Sequence, residues 1–349
     1  MDSINLSAAR RIVPELLETL RSRFRILHRL RLLQPIGRRA LAAELGTTER
    51  VLRSEVEFLR QQGLLDAGPA GMMLSDEGQG LLDELDSVLA SLEGRTELAR
   101  ALQKVLEISR VVVVVGDSDE EQWVKDTLGF QAATELRTLL QDGDVVAVTG
   151  GSTMATMAKM MPRHSAAFPV RVVPARGGLG ESTSIQANTI AEQLATAMGG
   201  SYSVLHVPDR LSEETLKRLN DEPMVQERLE EIRQSTVVVH GIGGALQMAE
   251  RRALSAKEYE TLVKQGAVAE AFGYYFNQQG ETVHSMTTVG LKLGDLDRMR
   301  LVMGVAGGAS KAPAIASAAK AYRMDLLVTD EGAARSILEN VYGGITHDN

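Results

Sequence analysis

Glycine-rich segments that also carry hydroxyl or basic side chains follow several Val-rich runs of the chain. Residues 148–153 read VTGGST, residues 174–180 read PARGGLG, and residues 305–311 read VAGGASK. Where such a segment opens a helix, backbone N–H groups, small hydroxyls and the positive helix end meet at one place and bind anions. The arginine of the second segment can form a bidentate contact with a phosphate. These three segments therefore predict a site for a phosphorylated ligand.

Each glycine pair also has a simpler explanation, because a tight turn between a strand and a helix needs the same residues. Lys311 favours the interpretation as a ligand site over a plain turn, since the positive end of a helix disfavours a cation unless an anion is bound. A fourth segment, residues 240–244 (HGIGG), has no charge beyond His240, which we interpret as a hydrogen-bonded histidine at a strand end. No segment matches the GxxxxGK[ST] or GxGxxG patterns of nucleotide sites. We expect a small metabolite with one or two phosphates.

A carboxylate stands beside an aromatic group in residues 269–277 (AEAFGYYFN). We expect Glu270 to accept hydrogen bonds from sugar hydroxyls. The aromatic residues Phe272, Tyr274 and Phe276 are more typical of a core or a strand face than of ligand contacts.

Residues 37–63 show the pattern of a helix-turn-helix. An apolar-periodic segment ends at Gly46, whose tolerance of positive φ suits a sharp turn, and Thr47 or Thr48 can cap the helix that follows. The face of that helix predicted to be buried consists of Val51, Leu52, Val56 and Leu59.

The opposite face of this helix is rich in arginine, which can bond guanine bidentately in the major groove or contact a phosphate. The residues expected to contact base edges are Arg50, Arg53 and Ser54. The residues expected to contact DNA phosphates are Arg38, Arg39 and Arg60. The alternative is an ordinary amphipathic helix whose charges face solvent.

The surroundings of this helix favour the DNA-binding interpretation. Before the helix pair, two apolar runs within residues 12–33 have helical periodicity. After it, residues 64–75 read as a two-stranded hairpin, which is the wing of a winged helix. Residues 76–92 then carry a leucine stripe that fits either a connecting helix or a short dimer seam.

Composition separates the chain into two parts. The net charge is −8, yet the first 62 residues hold twelve arginines, no lysine and seven acidic residues, a local charge of +5 that leaves −13 for the rest. Basic charge on one small domain is typical of phosphate contact in DNA. The absence of cysteine excludes disulfides and thiolate metal sites, and no apolar run is long enough to cross a membrane. We expect a cytoplasmic protein without a metal or cofactor.

Short Val-rich runs alternate with helical stretches beyond residue 94, which indicates a parallel sheet covered on both faces. The fold class is therefore predicted as α/β, with a winged helix-turn-helix over residues 1–93 and a doubly wound α/β domain over residues 94–349. In such sheets ligands bind beyond the carboxyl ends of the strands. The runs predicted as strands are residues 111–115, 145–148, 170–173, 204–207, 237–239, 301–305 and 326–328.

These motifs together resemble the SorC/DeoR-type bacterial regulators of transcription. The resemblance extends in order over nearly the whole chain. The matching segments are PIGRRALAAELGTTERVLRSEVEFL, GDSD, WVK, VAVTGGST, VPARGGLGE, QANTIA, HGIG, AEAFGYYFN, VAGGASKA and VTDEGAA. One departure is Ser152, where a second threonine would also fit; the hydroxyl is kept.

The resemblance implies a winged-helix DNA-binding domain and an effector domain with the sheet fold of sugar-phosphate deaminases and isomerases. In the glycolytic branch the implied effector is fructose 1,6-bisphosphate, which weakens repression of an operon. The implied phosphate contacts are Gly151, Ser152, Thr153, Arg176, Gly178 and Lys311. The implied contacts to sugar hydroxyls or a second phosphate are Gln186, Arg251 and Glu270.

The expected partners are operator DNA and a phosphosugar, with a dimeric or tetrameric homo-oligomer and no membrane. Two alternatives remain at this level. A sensor of another phosphosugar would share the same motifs. An isomerase or deaminase would need an acid and a base across the sugar, for which Glu270, Asp330 and His240 are the candidates, but fold similarity does not confer activity.

Overall fold

The computed structural model describes residues 14–162, 168–178, 182–208 and 212–343. The chain divides into two compact units, Met1–Glu97 and Leu98–Asn349. Each unit has its own buried hydrophobic core, as expected for a chain of this length.

The N-terminal unit is a winged helix-turn-helix, as predicted. Its elements are helices α1 (Pro14–Leu33), α2 (Arg38–Glu44) and α3 (Glu49–Gln61), strands β1 (Leu65–Gly68) and β2 (Gly71–Leu74), and helix α4 (Asp76–Leu92). The two apolar runs of the N-terminus form one helix over the described residues, because no glycine or proline separates Phe24 from Ile26. Strands β1 and β2 pair antiparallel and form the wing.

Local sequence sets the bounds of helix α3. Gly46 adopts a φ of 61°, and the Thr48 side chain accepts a hydrogen bond from the Val51 backbone N–H at 3.3 Å, which caps the helix. The prediction that Val51 is buried is wrong, because its side chain is 51% exposed. The core-facing stripe comprises Leu52, Val56 and Leu59 at i, i+4 and i+7, and Val51 lies one residue outside it.

Part of the leucine stripe of helix α4 packs in the core of the N-terminal unit. Leu82 and Leu89 are buried in the winged-helix core, whereas Val88 is exposed. Gly78 is required where α4 approaches β1, since a Cβ there would lie 2.0 Å from the Leu64 carbonyl oxygen. The stripe therefore packs at least partly within the unit as a connecting helix.

The C-terminal unit is built on a seven-stranded parallel sheet with the order β3-β13-β12-β7-β4-β5-β6. Its strands are β3 (Arg110–Val114), β4 (Val145–Val148), β5 (Arg171–Pro174), β6 (Ser201–Tyr202), β7 (Val237–Gly241), β12 (Leu301–Val305) and β13 (Leu326–Asp330). Helix α5 (Arg95–Leu106) begins three residues before this unit and continues into it. The other helices of this unit are α6 (Gln122–Leu139), α7 (Ser152–Met160), α8 (Ala187–Met198), α9 (Glu213–Asn220), α10 (Pro223–Arg233), α11 (Ala245–Arg251), α12 (Ala256–Lys264), α13 (Ala312–Ala321) and α14 (Glu331–Gly343).

Alternate residues of the strands pack into two separate cores, one on each face of this sheet. Val237 and Val239 pack in one cluster and Val238 packs in the other. The continuous valine runs are explained by this double burial, and the α/β class predicted from them is confirmed.

One strand prediction is wrong. Residues 204–207 are irregular, and the sheet edge is instead the two-residue strand β6. Leu205 and Val207 are nevertheless buried, and the Asn188 side chain bonds both backbone groups of Leu205, at 3.0 and 3.1 Å. An apolar run can therefore be buried without strand pairing when a side chain satisfies its backbone.

A second, four-stranded antiparallel sheet was not predicted. Its strands are β8 (Gly243–Gly244), β9 (Ala267–Ala271), β10 (Tyr274–Asn277) and β11 (Thr282–Ser285), in the order β11-β10-β9-β8. Phe272 and Gly273 join β9 to β10 with φ values of 53° and 84°, and positive φ at both positions is typical of a tight two-residue hairpin turn. Phe272 and Phe276 are buried, in agreement with the core prediction.

The segment after β5 is held from both sides. Leu291 donates its backbone N–H to the Ala175 carbonyl at 2.8 Å, and Gly178 donates to the Val207 carbonyl at 2.9 Å. Gly290 makes this possible, since it has a φ of 125° and a Cβ there would lie 2.2 Å from the Ala175 oxygen. These contacts fix the backbone of Arg176.

We predict that Gly290→Ala lowers the free energy of unfolding of the C-terminal unit by about 2 to 4 kcal/mol, because it adds backbone strain and a steric clash. Gly143→Ala is the matched control, since Gly143 has a φ of 83° and a Cβ added there would meet no atom within 4 Å. The control should lose only about 1 to 2 kcal/mol. Denaturant unfolding followed by fluorescence of Trp123, the single tryptophan, measures both. Equal losses would show that the packing around Arg176 does not depend on Gly290.

Candidate functional site

A cleft of about 290 Å³ lies at the carboxyl ends of the large sheet's strands. This is the edge at which parallel α/β sheets bind ligands. The three Gly-rich segments predicted to hold phosphate all contribute to it, as does the small sheet through β9. The lining includes all nine residues predicted to contact an effector, namely Gly151, Ser152, Thr153, Arg176, Gly178, Gln186, Arg251, Glu270 and Lys311.

The turn before α7 has the features of an anion site. Gly151 precedes the helix with a φ of 126°, and its N–H donates to the Ile185 carbonyl at 2.8 Å. The first backbone bond within α7 is donated by Ala155, so the N–H groups of Ser152 and Thr153 have no acceptor inside the helix. Ser152 and Thr153 both line the cleft.

The second predicted phosphate segment approaches the side chain of Gln186. A Cβ at Gly178 would lie 3.4 Å from the Gln186 side-chain oxygen, so glycine allows this close approach. Residues 179–181, which complete the sequence motif, lie outside the described residues.

Glu270 is the centre of the charged network in the cleft. Its Oε1 accepts hydrogen bonds from the Gly273 N–H at 2.7 Å, from Arg252 Nη2 at 3.0 Å and from Arg176 Nη1 at 3.5 Å. All three charged side chains are buried. The role of Glu270 as an acceptor for sugar hydroxyls stays a prediction. The structure shows that Glu270 holds two guanidinium groups side by side.

Lys311 lies at the opposite Gly-rich turn and donates from Nζ to the Gln247 side-chain oxygen at 2.8 Å. Burial lowers the pKa of Lys311 below its usual value of 10.5; Arg251 and Lys125 act in the same direction, while Asp119 and Glu270 oppose it. The Asp119 carboxylate accepts the Ser310 N–H at 2.7 Å and so fixes this turn.

Three charged lining residues were not predicted: Asp119, Lys125 and Arg252. A usable signal existed for two of them, because Asp119 and Lys125 follow the end of β3, which lies at the same sheet edge as the other site segments. Arg252 carried no such signal. It lies just after α11, and only the folding of β9 against that helix brings it to Glu270.

The residues considered for catalysis do not converge. The fully buried Asp330 carboxylate accepts the backbone N–H groups of Ser118, Gly308 and Ala333 at 2.7 to 2.9 Å, which ties strand ends together. His240 is fully buried, its ring centroid lies 4.8 Å from that of Phe272, and burial lowers its pKa to about 4. Neither side chain lines the cleft. Among the described residues, only Glu270 of these three candidates lines the cleft.

The candidate DNA-facing helix is α3. The predicted base-contacting residues Arg50, Arg53 and Ser54 are exposed on it, although the Ser54 hydroxyl donates to the Val51 carbonyl at 2.9 Å. The phosphate-contact residues Arg38, Arg39 and Arg60 are also exposed. Arg60 has an ion pair with Glu57 at 2.9 Å and Arg39 one with Glu49 at 3.8 Å, which are weak at the surface.

The local excess of arginine overstates the charge available to DNA. In α1, Arg29 is paired with Glu44 at 2.8 Å and Arg31 with Asp83 at 2.6 Å, and both arginine side chains are buried. These arginines stabilise the winged helix itself. The exposed basic groups of α2 and α3 remain for phosphate contact.

Comparison with known proteins also separates the chain into two regions. Residues 19–89 match the family model of the CggR N-terminal DNA binding domain, and residues 90–339 match that of a sugar-binding domain. Curated proteins called central glycolytic genes regulator are 46% identical over 96% of this chain and 98% of theirs in Priestia megaterium, and 42% identical over the same shares in Bacillus subtilis. The chain belongs to the family of central glycolytic genes regulators.

Solved structures place this family among the SorC-type regulators. A SorC family transcriptional regulator from Enterococcus faecalis is 41% identical, with a TM-score of 0.66 over 69% of this chain and 99% of its own. The full-length sorbitol operon regulator SorC from Klebsiella pneumoniae is 18% identical, with a TM-score of 0.64 over 90% and 99% of the two chains, and so shares the fold. The part of this chain that the structure describes contains no helix able to span a membrane and no group of three potential metal ligands.

We predict that Arg53→Ala weakens binding to a selected operator by about 1 to 3 kcal/mol and relaxes base preference, because a bidentate base contact is lost. Arg39→Ala is the control, since loss of a phosphate contact should weaken all sequences alike. Selection from a random DNA library followed by mobility shifts measures both effects. Unchanged operator affinity in Arg53→Ala would place the recognition surface elsewhere.

Proposed function

We propose that this protein is a transcriptional repressor of a glycolytic operon, relieved by fructose 1,6-bisphosphate. The names of the relatives support the glycolytic role, and the two matched domains support a DNA-binding protein that senses a sugar. The protein acts in the cytoplasm as a homo-oligomer, dimeric or tetrameric, and needs no cofactor. Its symmetry requires repeated half-sites in the operator.

The charge of the cleft is the observation that carries the choice of a bisphosphate. Its lining contains the cations Lys125, Arg176, Arg251, Arg252 and Lys311 and the anions Asp119 and Glu270, a net charge of +3. A phosphate ester carries about −1.5 to −2 at neutral pH, so a bisphosphate neutralises this charge better than a monophosphate does. Glu270 then accepts a sugar hydroxyl between the phosphates.

We expect a sugar phosphate in this cleft to be bound and not converted to a product. The Oε1 atom of Glu270 already takes three donors, and both His240 and Asp330 lie outside the cleft lining. A proton-transfer reaction needs a base within hydrogen-bond reach of the reacting carbon's proton.

We predict that Arg176→Ala lowers the affinity for fructose 1,6-bisphosphate about 10- to 100-fold, because a buried phosphate loses a charged donor. Operator binding should survive, so the variant should stay bound to DNA in the presence of the sugar. Arg298→Ala, which removes an exposed arginine outside the cleft, is the control. Calorimetric titration with fructose 1,6-bisphosphate and fructose 6-phosphate measures the change. Wild-type affinity in Arg176→Ala would contradict the assigned site, and tighter binding of the monophosphate to the wild type would indicate another phosphosugar.

A further inference from the structure

Lys311 differs from the buried arginines of the cleft in its partners. Arg176 and Arg252 both pair with the Glu270 carboxylate, whereas the Lys311 Nζ donates to the neutral amide oxygen of Gln247. No ion pair joins Lys311 to a carboxylate within the residues that the structure describes. The amine is thus held at the cleft wall by an amide oxygen rather than by a direct ion pair.

The surroundings of this amine raise the fraction of its neutral, nucleophilic form above that of an exposed lysine. Burial of the side chain lowers the pKa of Lys311, and the cations Arg251 and Lys125 act in the same direction. The carboxylates Asp119 and Glu270 oppose this effect without reversing it. Lysines activated in this way, by desolvation and a cationic neighbour, act as nucleophiles in covalent chemistry. The net positive lining meanwhile concentrates phosphate-bearing molecules at the same place.

We infer that Lys311 is a covalent modification site, acylated by acyl phosphates that bind in the cleft. An acyl phosphate joins the two features that the cleft selects, a phosphate for the cationic lining and an electrophilic carbonyl for the amine. The inference rests on the proposed anion-binding role of the cleft and adds a second class of ligand to it.

The reaction needs no further reactant. The lone pair of the neutral Nζ attacks the carbonyl carbon, a C–N bond forms, and the C–O bond to the phosphate breaks. The phosphate leaves with the bonding electron pair and takes up the proton released by the nitrogen. The products are an amide at Lys311 and inorganic phosphate.

Acylation would change the response of the protein. An amide carries no charge, so the cleft would lose one of the cations that face the effector phosphates. The acylated protein should bind fructose 1,6-bisphosphate more weakly and remain on its operator.

The test uses acetyl phosphate on the full-length protein, with acetylation of each lysine followed over time by peptide mass spectrometry. Lys320 is the matched control, because its Nζ also donates to a neutral oxygen, that of Gln278 at 3.1 Å, but it is exposed and outside the cleft. We expect Lys311 to react roughly ten times faster than Lys320, with a rate that saturates as the reagent concentration rises. Equal rates at the two lysines, or a rate at Lys311 that does not saturate, would overturn the inference.

Two further arms separate binding from intrinsic reactivity. Inorganic phosphate should slow acetylation of Lys311 by acetyl phosphate and leave Lys320 unaffected; no protection by phosphate overturns the inference. Acetic anhydride, which has no phosphate, should show a smaller preference for Lys311 over Lys320 than acetyl phosphate does. An equal preference with the two reagents would overturn the role of the cleft. If inorganic phosphate protects Lys311 but fructose 1,6-bisphosphate does not, the modification site stands and the proposed effector is wrong.

Discussion

The buried carboxylate of Glu270 is the interaction on which the cleft depends. Two guanidinium groups, Arg176 and Arg252, could not remain in the interior without it, because an unpaired buried charge is very costly. One carboxylate does not neutralise two arginines, so the cluster keeps a net positive charge that a phosphate can neutralise. The same oxygen also bonds the Gly273 N–H, which couples the charge pair to the hairpin turn at Phe272. The Glu270 carboxylate therefore both stabilises the small sheet and holds the arginines that can bind an anion.

Much of this arrangement could be predicted because it is local in sequence. Gly-rich turns after valine strands identify the ligand edge of a parallel sheet whatever the strand order, so Gly151, Arg176 and Lys311 could be assigned to one site. The bounds of the candidate recognition helix likewise follow from Gly46 and the Thr48 cap. Such features depend on backbone geometry within a few residues.

Apart from Val51, which lies one residue outside the buried stripe of its helix, the errors concern residues whose role is set by distant partners. Arg252 reaches Glu270 only after the four-stranded sheet forms. Leu205 is buried through the Asn188 side chain rather than through a strand. The arginines of α1 count toward a basic domain in the sequence, but acidic groups far along the chain, such as Asp83, neutralise them in the fold. Long-range pairing of this kind leaves no periodic signal.

We propose that the cleft and helix α3 are coupled sites of one switch. A ligand shifts DNA affinity only through different binding to the two states, and the coupling must be reciprocal. The direct measurement is a closed cycle: operator affinity with and without fructose 1,6-bisphosphate, and bisphosphate affinity with and without operator. We expect the bisphosphate to weaken operator binding by about 5- to 150-fold and the operator to weaken bisphosphate binding by the same factor. Tight bisphosphate binding with unchanged operator affinity would contradict the account.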